Sequence, residues 1–167
     1  MELLWAPWRM DYILSSHKER KCIFCPLEDQ SDEKRLILYR NSLSLVILNR
    51  YPYSYGHLMV APARHVRDMS KLEPTEMADI FHKLGQSINI LKEVCHPNGF
   101  NVGMNLGRVA GAGILHHLHF HIVPRWRGDN NFMPTVADIR IIPEHLTNTY
   151  HRFRPHFERL ENQAKKP

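Results

Sequence analysis

Residues 117–123 read His-Leu-His-Phe-His-Ile-Val, three histidines alternating with apolar residues. Alternation suits one element, an extended strand, because successive side chains leave a strand on opposite faces. His117, His119 and His121 then share one face, and Leu118, Phe120 and Ile122 share the other. The apolar set can pack on a core while the imidazoles form a row about 13 Å long, at roughly 3.3 Å per residue. The row ends at Pro124-Arg125-Trp126. Before it lies Gly111-Ala112-Gly113, a permissive turn where backbone N–H groups can come close to a ligand. One histidine in a strand is ordinarily a satisfied structural residue. Three on one face are harder to satisfy, since buried imidazoles need partners and adjacent charged ones repel.

The chain has 167 residues, enough for one domain with a sizeable core. No apolar run approaches the roughly 20 residues of a membrane span. The opening Met1-Glu2-Leu3-Leu4-Trp5 lacks the basic-then-apolar order of a secretion signal, so a cytoplasmic location is expected. Net charge is +5 with histidine neutral, but the basic residues are scattered rather than striped among aromatics. That distribution speaks against a nucleic-acid partner and suits a phosphorylated small ligand. Three cysteines argue against a disulfide framework. Two of them, Cys22 and Cys25, have Cys-x-x-Cys spacing, which on a tight turn serves a zinc ion or a redox pair. The redox use needs a preceding strand, and residues 1–21 offer no good one.

Along the chain, Trp5, Trp8 and Tyr12 are spaced for a short helical turn in an N-terminal arm. Residues 28–35 read as a surface loop or short turn. Two apolar runs, 36–39 and 43–48, flank Asn41-Ser42 and predict a hairpin. Residues 57–62 form a third strand after the loop 49–56. A helix is predicted over 72–94, with Pro74 near its start, Glu73 and Glu76 in the first turn, and a core stripe of Met77, Ile80, Phe81, Leu84, Ile88 and Leu91. Strands are expected at 100–106 and about 115–124, a short edge strand at 139–142, and a helix over 144–164 broken at Pro155. The order favours an α+β fold: an antiparallel sheet with a long helix packed on one side and a C-terminal helix.

The triplet resembles the motif of the histidine triad (HIT) superfamily, His-φ-His-φ-His-φ-φ. Cys22-Ile-Phe-Cys25, the Asn49 loop followed by Gly56-His57, Asn105 with the glycine turn, and Pro124-Arg125 fall in the family's order. The resemblance covers roughly residues 20–135. Residues 4–10 and 124–134 look like the branch of fragile-histidine-triad-like proteins and diadenosine tetraphosphate phosphorylases. It implies one HIT-like domain over 1–167, a half-barrel sheet, a homodimer, and a nucleotide site on each protomer. One departure stands out. Many members carry Gln followed by Ser or Thr ahead of the triad, where this chain has Ala110-Gly-Ala-Gly-Ile-Leu-His116, so Gly113 and Ile114 offer only backbone N–H groups.

By the same resemblance His119 is the nucleophile that attacks an α-phosphorus, and His121 donates to phosphate oxygens. A neutral imidazole suits such a role near pH 7. Asn49, Asn105, Gly111, Gly113 and Ile114 join His119 and His121 in contacting the nucleotide, and His57 supports them. Arg125, Arg127 and Asp129 either gate the leaving group or are solvated surface charges. Zinc-bearing relatives imply a metal set of Cys22, Cys25, His65 and His117, closed and structural. No organic cofactor is implied. The expected activity is hydrolysis or phosphorolysis of an adenine dinucleoside polyphosphate, or cleavage of a nucleotide phosphoramidate. Two other readings remain open: a metalloenzyme using His-x-His as catalytic ligands, and a nucleotide-binding interaction module with vestigial turnover.

Overall fold

The computed structural model describes residues 22–27, 30–129 and 142–163. The first element is one helical turn, α1 (Asp32–Arg35), where a loop or turn was expected. Ser31 caps its start, and Leu36 ends it in the left-handed region at φ 65°. The predicted hairpin follows as β1 (Ile37–Arg40) and β2 (Ser44–Leu48). Asn41 shapes its turn, its side-chain oxygen accepting from the N–H groups of Leu43 and Ser44 at 2.8 and 2.7 Å.

β3 (Leu58–Pro62) pairs along all of β2, from Ser44↔Pro62 to Leu48↔Leu58. β4 (Gly99–Gly103) and β5 (Phe120–Arg125) complete a five-stranded antiparallel sheet in the order β1-β2-β3-β5-β4. Every residue of β2 and β3 is buried, so these central strands are covered on both faces. Among the described strands β1 and β4 lie at the two edges, and β4 is much the more exposed.

The long helix, α2 (Pro74–Cys95), begins at the predicted signals. Glu73 and Glu76 form a reciprocal capping box, and proline occupies the first turn. Glu76 also receives Arg64 at 2.8 and 3.1 Å, which ties the helix start to the loop after β3. Ile80, Leu84 and Leu91 are buried as expected, but Phe81 is 58% exposed. Phe81 flanks the stripe, and its ring lies 5.8 Å from that of Phe120 on β5.

The C-terminal helix, α3 (Leu146–Gln163), runs through Pro155 without breaking. Proline there removes one backbone hydrogen bond. Phe153 and Phe157, four residues apart, are both fully buried, and they anchor the helix on each side of the proline. Arg154 adds a hydrogen bond to the carbonyl of Leu38 on β1. Beneath α3 lies Gly56 at φ +69°, where a β-carbon would stand 3.2 Å from both Leu91 and Phe153. Only glycine meets both demands there.

Two expectations, the helical turn with Trp5, Trp8 and Tyr12 and the strand at 139–142, fall mainly or wholly outside the described residues. Among the described residues no helix is long and apolar enough to cross a membrane.

Candidate active site and metal centre

The histidine strand is shorter than the alternation predicts. β5 starts at Phe120, so His117, Leu118 and His119 precede the sheet. Their alternation survives because the Leu118 N–H donates to the carbonyl of Val66 at 2.7 Å. That bond draws the segment along the loop following β3. Leu118, Phe120 and Ile122 are buried on the core side. On the other side His117 and His119 are also almost fully buried, at 1% and 4% exposure. The cover comes from the loop bearing Cys22 and Cys25: the ring of Phe24 lies 5.0 Å from His117 and 5.1 Å from His119. Arg35, itself buried, holds this loop by donating to the carbonyls of Ile23 and Cys25 at 2.9 and 2.7 Å. Neither Phe24 nor Arg35 stands out in the sequence.

Backbone acceptors assign the imidazole tautomers. His119 Nδ1 lies 2.9 Å from the carbonyl oxygen of His117. A carbonyl only accepts, so Nδ1 carries the proton and Nε2 keeps a lone pair. His117 does the reverse. Its Nε2 donates to the Pro62 carbonyl at 2.9 Å, leaving Nδ1 unprotonated, 3.2 Å from Cys22 Sγ and 3.7 Å from Cys25 Sγ.

A third assignment runs through His57, which is fully buried. The backbone N–H of Tyr53 donates to His57 Nδ1 at 3.1 Å. His57 Nε2 therefore bears the proton and donates it to His121 Nδ1 at 2.9 Å. His121 is left protonated on Nε2, as a donor. Asn49, expected to face a ribose, first organises this loop: its side-chain oxygen accepts from the Tyr51 N–H at 2.9 Å, and its Nδ2 is 3.3 Å from His57 Nδ1.

Burial lowers the pKa of all three triad histidines. For His119 the bond to the His117 carbonyl partly offsets it. For His121 burial, then the neighbouring His119, brings the value to about 4. His119 and His121 are therefore neutral at pH 7, as the tautomers require.

The ligand atoms of Cys22, Cys25, His65 and His117 lie within 4.8 Å of one another. His65 Nδ1 is 3.1 Å from Cys25 Sγ. Burial and the adjacent Cys22 push the Cys25 thiol up to about 11. Two thiols and two ring nitrogens converge here, the donor chemistry of a closed zinc site. The bond from His117 to Pro62 is the outer partner that such a ligand needs. Among the described residues this metal-competent group includes neither His119 nor His121, which disfavours a His-x-His catalytic metal.

Beyond His119 opens a cavity of about 500 Å³, bordered by Asn105, Gly107 and Ile114 among others. Gly111 serves the turn itself, with φ +85° and its N–H donated to the carbonyl of Arg108 at 3.0 Å. Ala112 likewise donates to Gly107 at 3.2 Å. The amides of Gly113 and Ile114 are not used in this way among the described residues. Arg125 and Asp129 form a two-pronged ion pair at 2.6 and 3.0 Å, and Arg125 also reaches Asn101. They brace the chain as it leaves β5. The Arg127 N–H bonds to the Asn98 side chain at 2.9 Å.

A family model described as HIT domain matches residues 30–128. The chain is 38% identical over 157 residues to the AP-4-A phosphorylase of Mycobacterium tuberculosis, covering 89% of this chain and 80% of that one. It is 32% identical over 93 residues to the asymmetrical bis(5'-nucleosyl)-tetraphosphatase of Schizosaccharomyces pombe, covering 56% of this chain and 50% of the relative. A Zn-bound histidine triad family protein from Mycobacterium smegmatis matches with TM-score 0.60 and 25% identity, over 77% of this chain and 87% of that one. The diadenosine triphosphate hydrolase of Plasmodium falciparum shares the fold, with TM-score 0.60 at 17% identity over 93% and 97% of the two chains. The chain belongs to the histidine triad family.

Proposed function

We propose that the protein is a nucleotidyl transferase that cleaves adenine dinucleoside polyphosphates through a covalent intermediate on His119. The observation that carries this reading is the His119 tautomer: Nδ1 is spent on the His117 carbonyl, and Nε2 holds its lone pair on a ring that lines the cavity. In the first step Nε2 bonds to the α-phosphorus, and the bond from phosphorus to the bridging oxygen breaks, its electron pair leaving with the nucleotide product. His121 donates from Nε2 to the phosphate oxygens, with the amides of Gly113 and Ile114 adding further N–H groups. Asn49, Asn105 and Gly111 border the nucleotide. In the second step an oxygen nucleophile attacks the same phosphorus and releases His119.

Water or inorganic phosphate serves as that nucleophile. The long match to an AP-4-A phosphorylase supports phosphate. The test is incubation with diadenosine tetraphosphate, with and without phosphate. ADP plus ATP formed only when phosphate is present supports phosphorolysis. AMP plus ATP in both cases supports hydrolysis, and no cleavage contradicts the reading.

Zinc held by Cys22, Cys25, His65 and His117 is structural in this reading. It would fasten the Phe24 loop to the triad segment, and no step of the transfer passes through it. Chelation is expected to lower the melting temperature, and zinc to restore it. Cys22→Ser should reduce bound zinc from about one per chain. A protein that melts identically with and without chelator contradicts the assignment.

A homodimer is also part of this reading. Among the described residues β4 offers an unpaired sheet edge, with Val102 46% exposed on it and Phe81 58% exposed on α2. Sedimentation equilibrium is expected to return the mass of two chains, and a one-chain mass at all concentrations contradicts it.

A further inference from the structure

The cavity beyond His119 has one cationic side chain among its lining residues, Arg67, and nothing in the transfer chemistry above uses it. The backbone that leads into it is fixed. Val66, almost fully buried, accepts the Leu118 N–H at 2.7 Å. Arg67, an exposed residue, directly follows the one that braces the triad segment, and it lines the cavity together with Asn105 and Gly107. Asp68, the one carboxylate in the lining, is already engaged by Ser70, whose N–H and hydroxyl both donate to its Oδ1 at 2.9 Å. Met69 and Leu106 line the same cavity and are 41% and 57% exposed, an apolar pair that would suit a flat base. A volume of about 500 Å³ exceeds what one phosphate needs and lies within the usual range for a small-molecule site.

We propose that this cavity, besides opening onto His119, also takes the departing half of the substrate, with Arg67 gripping the polyphosphate and setting a preference for polyphosphate over short leaving groups. The inference rests on the nucleotidyl-transfer reading for its place in the reaction. The binding chemistry does not. A guanidinium offers two parallel N–H donors to phosphate oxygens and keeps its charge at every relevant pH. A phosphoramidate, whose leaving group is a lone amine, would not reach it.

Two measurements on the full chain test this. Inorganic tripolyphosphate is titrated calorimetrically into the wild type, Arg67→Gln and Arg67→Lys. Arg67→Gln is expected to weaken binding by about tenfold or more, with Arg67→Lys between it and the wild type. Equal affinities, or no binding to the wild type, overturn the proposal. In turnover, the ratio of kcat/KM for diadenosine tetraphosphate to kcat/KM for adenosine 5'-phosphoramidate should fall by about tenfold in Arg67→Gln. An unchanged ratio also overturns it. Arg67-dependent tripolyphosphate binding by a protein that cleaves neither substrate would contradict the transfer reading and leave the anion subsite standing.

Discussion

His119→Ala is expected to lower kcat for diadenosine tetraphosphate by about 10⁴-fold or more, while the protein keeps its fold. The ring is 4% exposed, and its one described polar bond goes to the carbonyl two residues earlier. Removing it leaves that carbonyl unpaired but disturbs neither the sheet pairing nor the Cys and His quartet. The loss should therefore fall on the chemical step. His121→Ala removes a donor and not the attacking atom, so a smaller loss is expected, of order 10²- to 10⁴-fold. The ranking is the informative part. Steady-state kinetics on both variants, with thermal melts to establish folding, checks it. A His119→Ala variant within about tenfold of wild type would remove nucleophilic catalysis from the account.

Phe153→Ala is expected to cost about 3–5 kcal/mol of stability, the range for emptying a buried aromatic site. Phe153 is fully buried, its ring is 6.1 Å from that of Tyr55, and it roofs Gly56 beside His57. α3 lies beyond the segment matched by the family model, residues 30–128, yet its aromatic face completes the core. Tyr55 donates to Glu144 at 2.9 Å, and Glu144 also receives Arg152 at 2.6 Å, so the loop ahead of His57 is fastened to the C-terminal segment as well. Denaturant unfolding of the variant should show a lower midpoint with an unchanged slope. A loss below about 1 kcal/mol would mean the helix is an appendage.

Much of the sheet was legible because its residues carry local signals. Asn41-Ser42 between two apolar runs marked the hairpin, and Glu73-Pro74 with Glu76 marked the start of α2. Signals that depend on distant partners were not legible. Pro155 predicts a break, and only the pocket that receives Phe153 and Phe157 overrides it. The triad alternation predicts a strand from about residue 115, but pairing partners for β5 exist only from Phe120 onward. The Cys-x-x-Cys spacing alone left zinc and redox chemistry open. His65 and His117 are implied as ligands only by the family resemblance, and the fold brings all four ligand atoms together. The bond from His57 to His121 depends on the register Leu58↔Ile122, which no local pattern encodes. Phe24 reads as one more apolar residue until the fold lays it across two histidines.

The most direct test is the intact mass of the protein after brief mixing with diadenosine tetraphosphate and a quench that avoids acid. A wild-type chain heavier by one adenylyl group, with the adduct absent in His119→Gly, is the result expected of a transfer carried on that imidazole. Cleavage that proceeds with no adduct at any time, or an adduct that persists in His119→Gly, would contradict it.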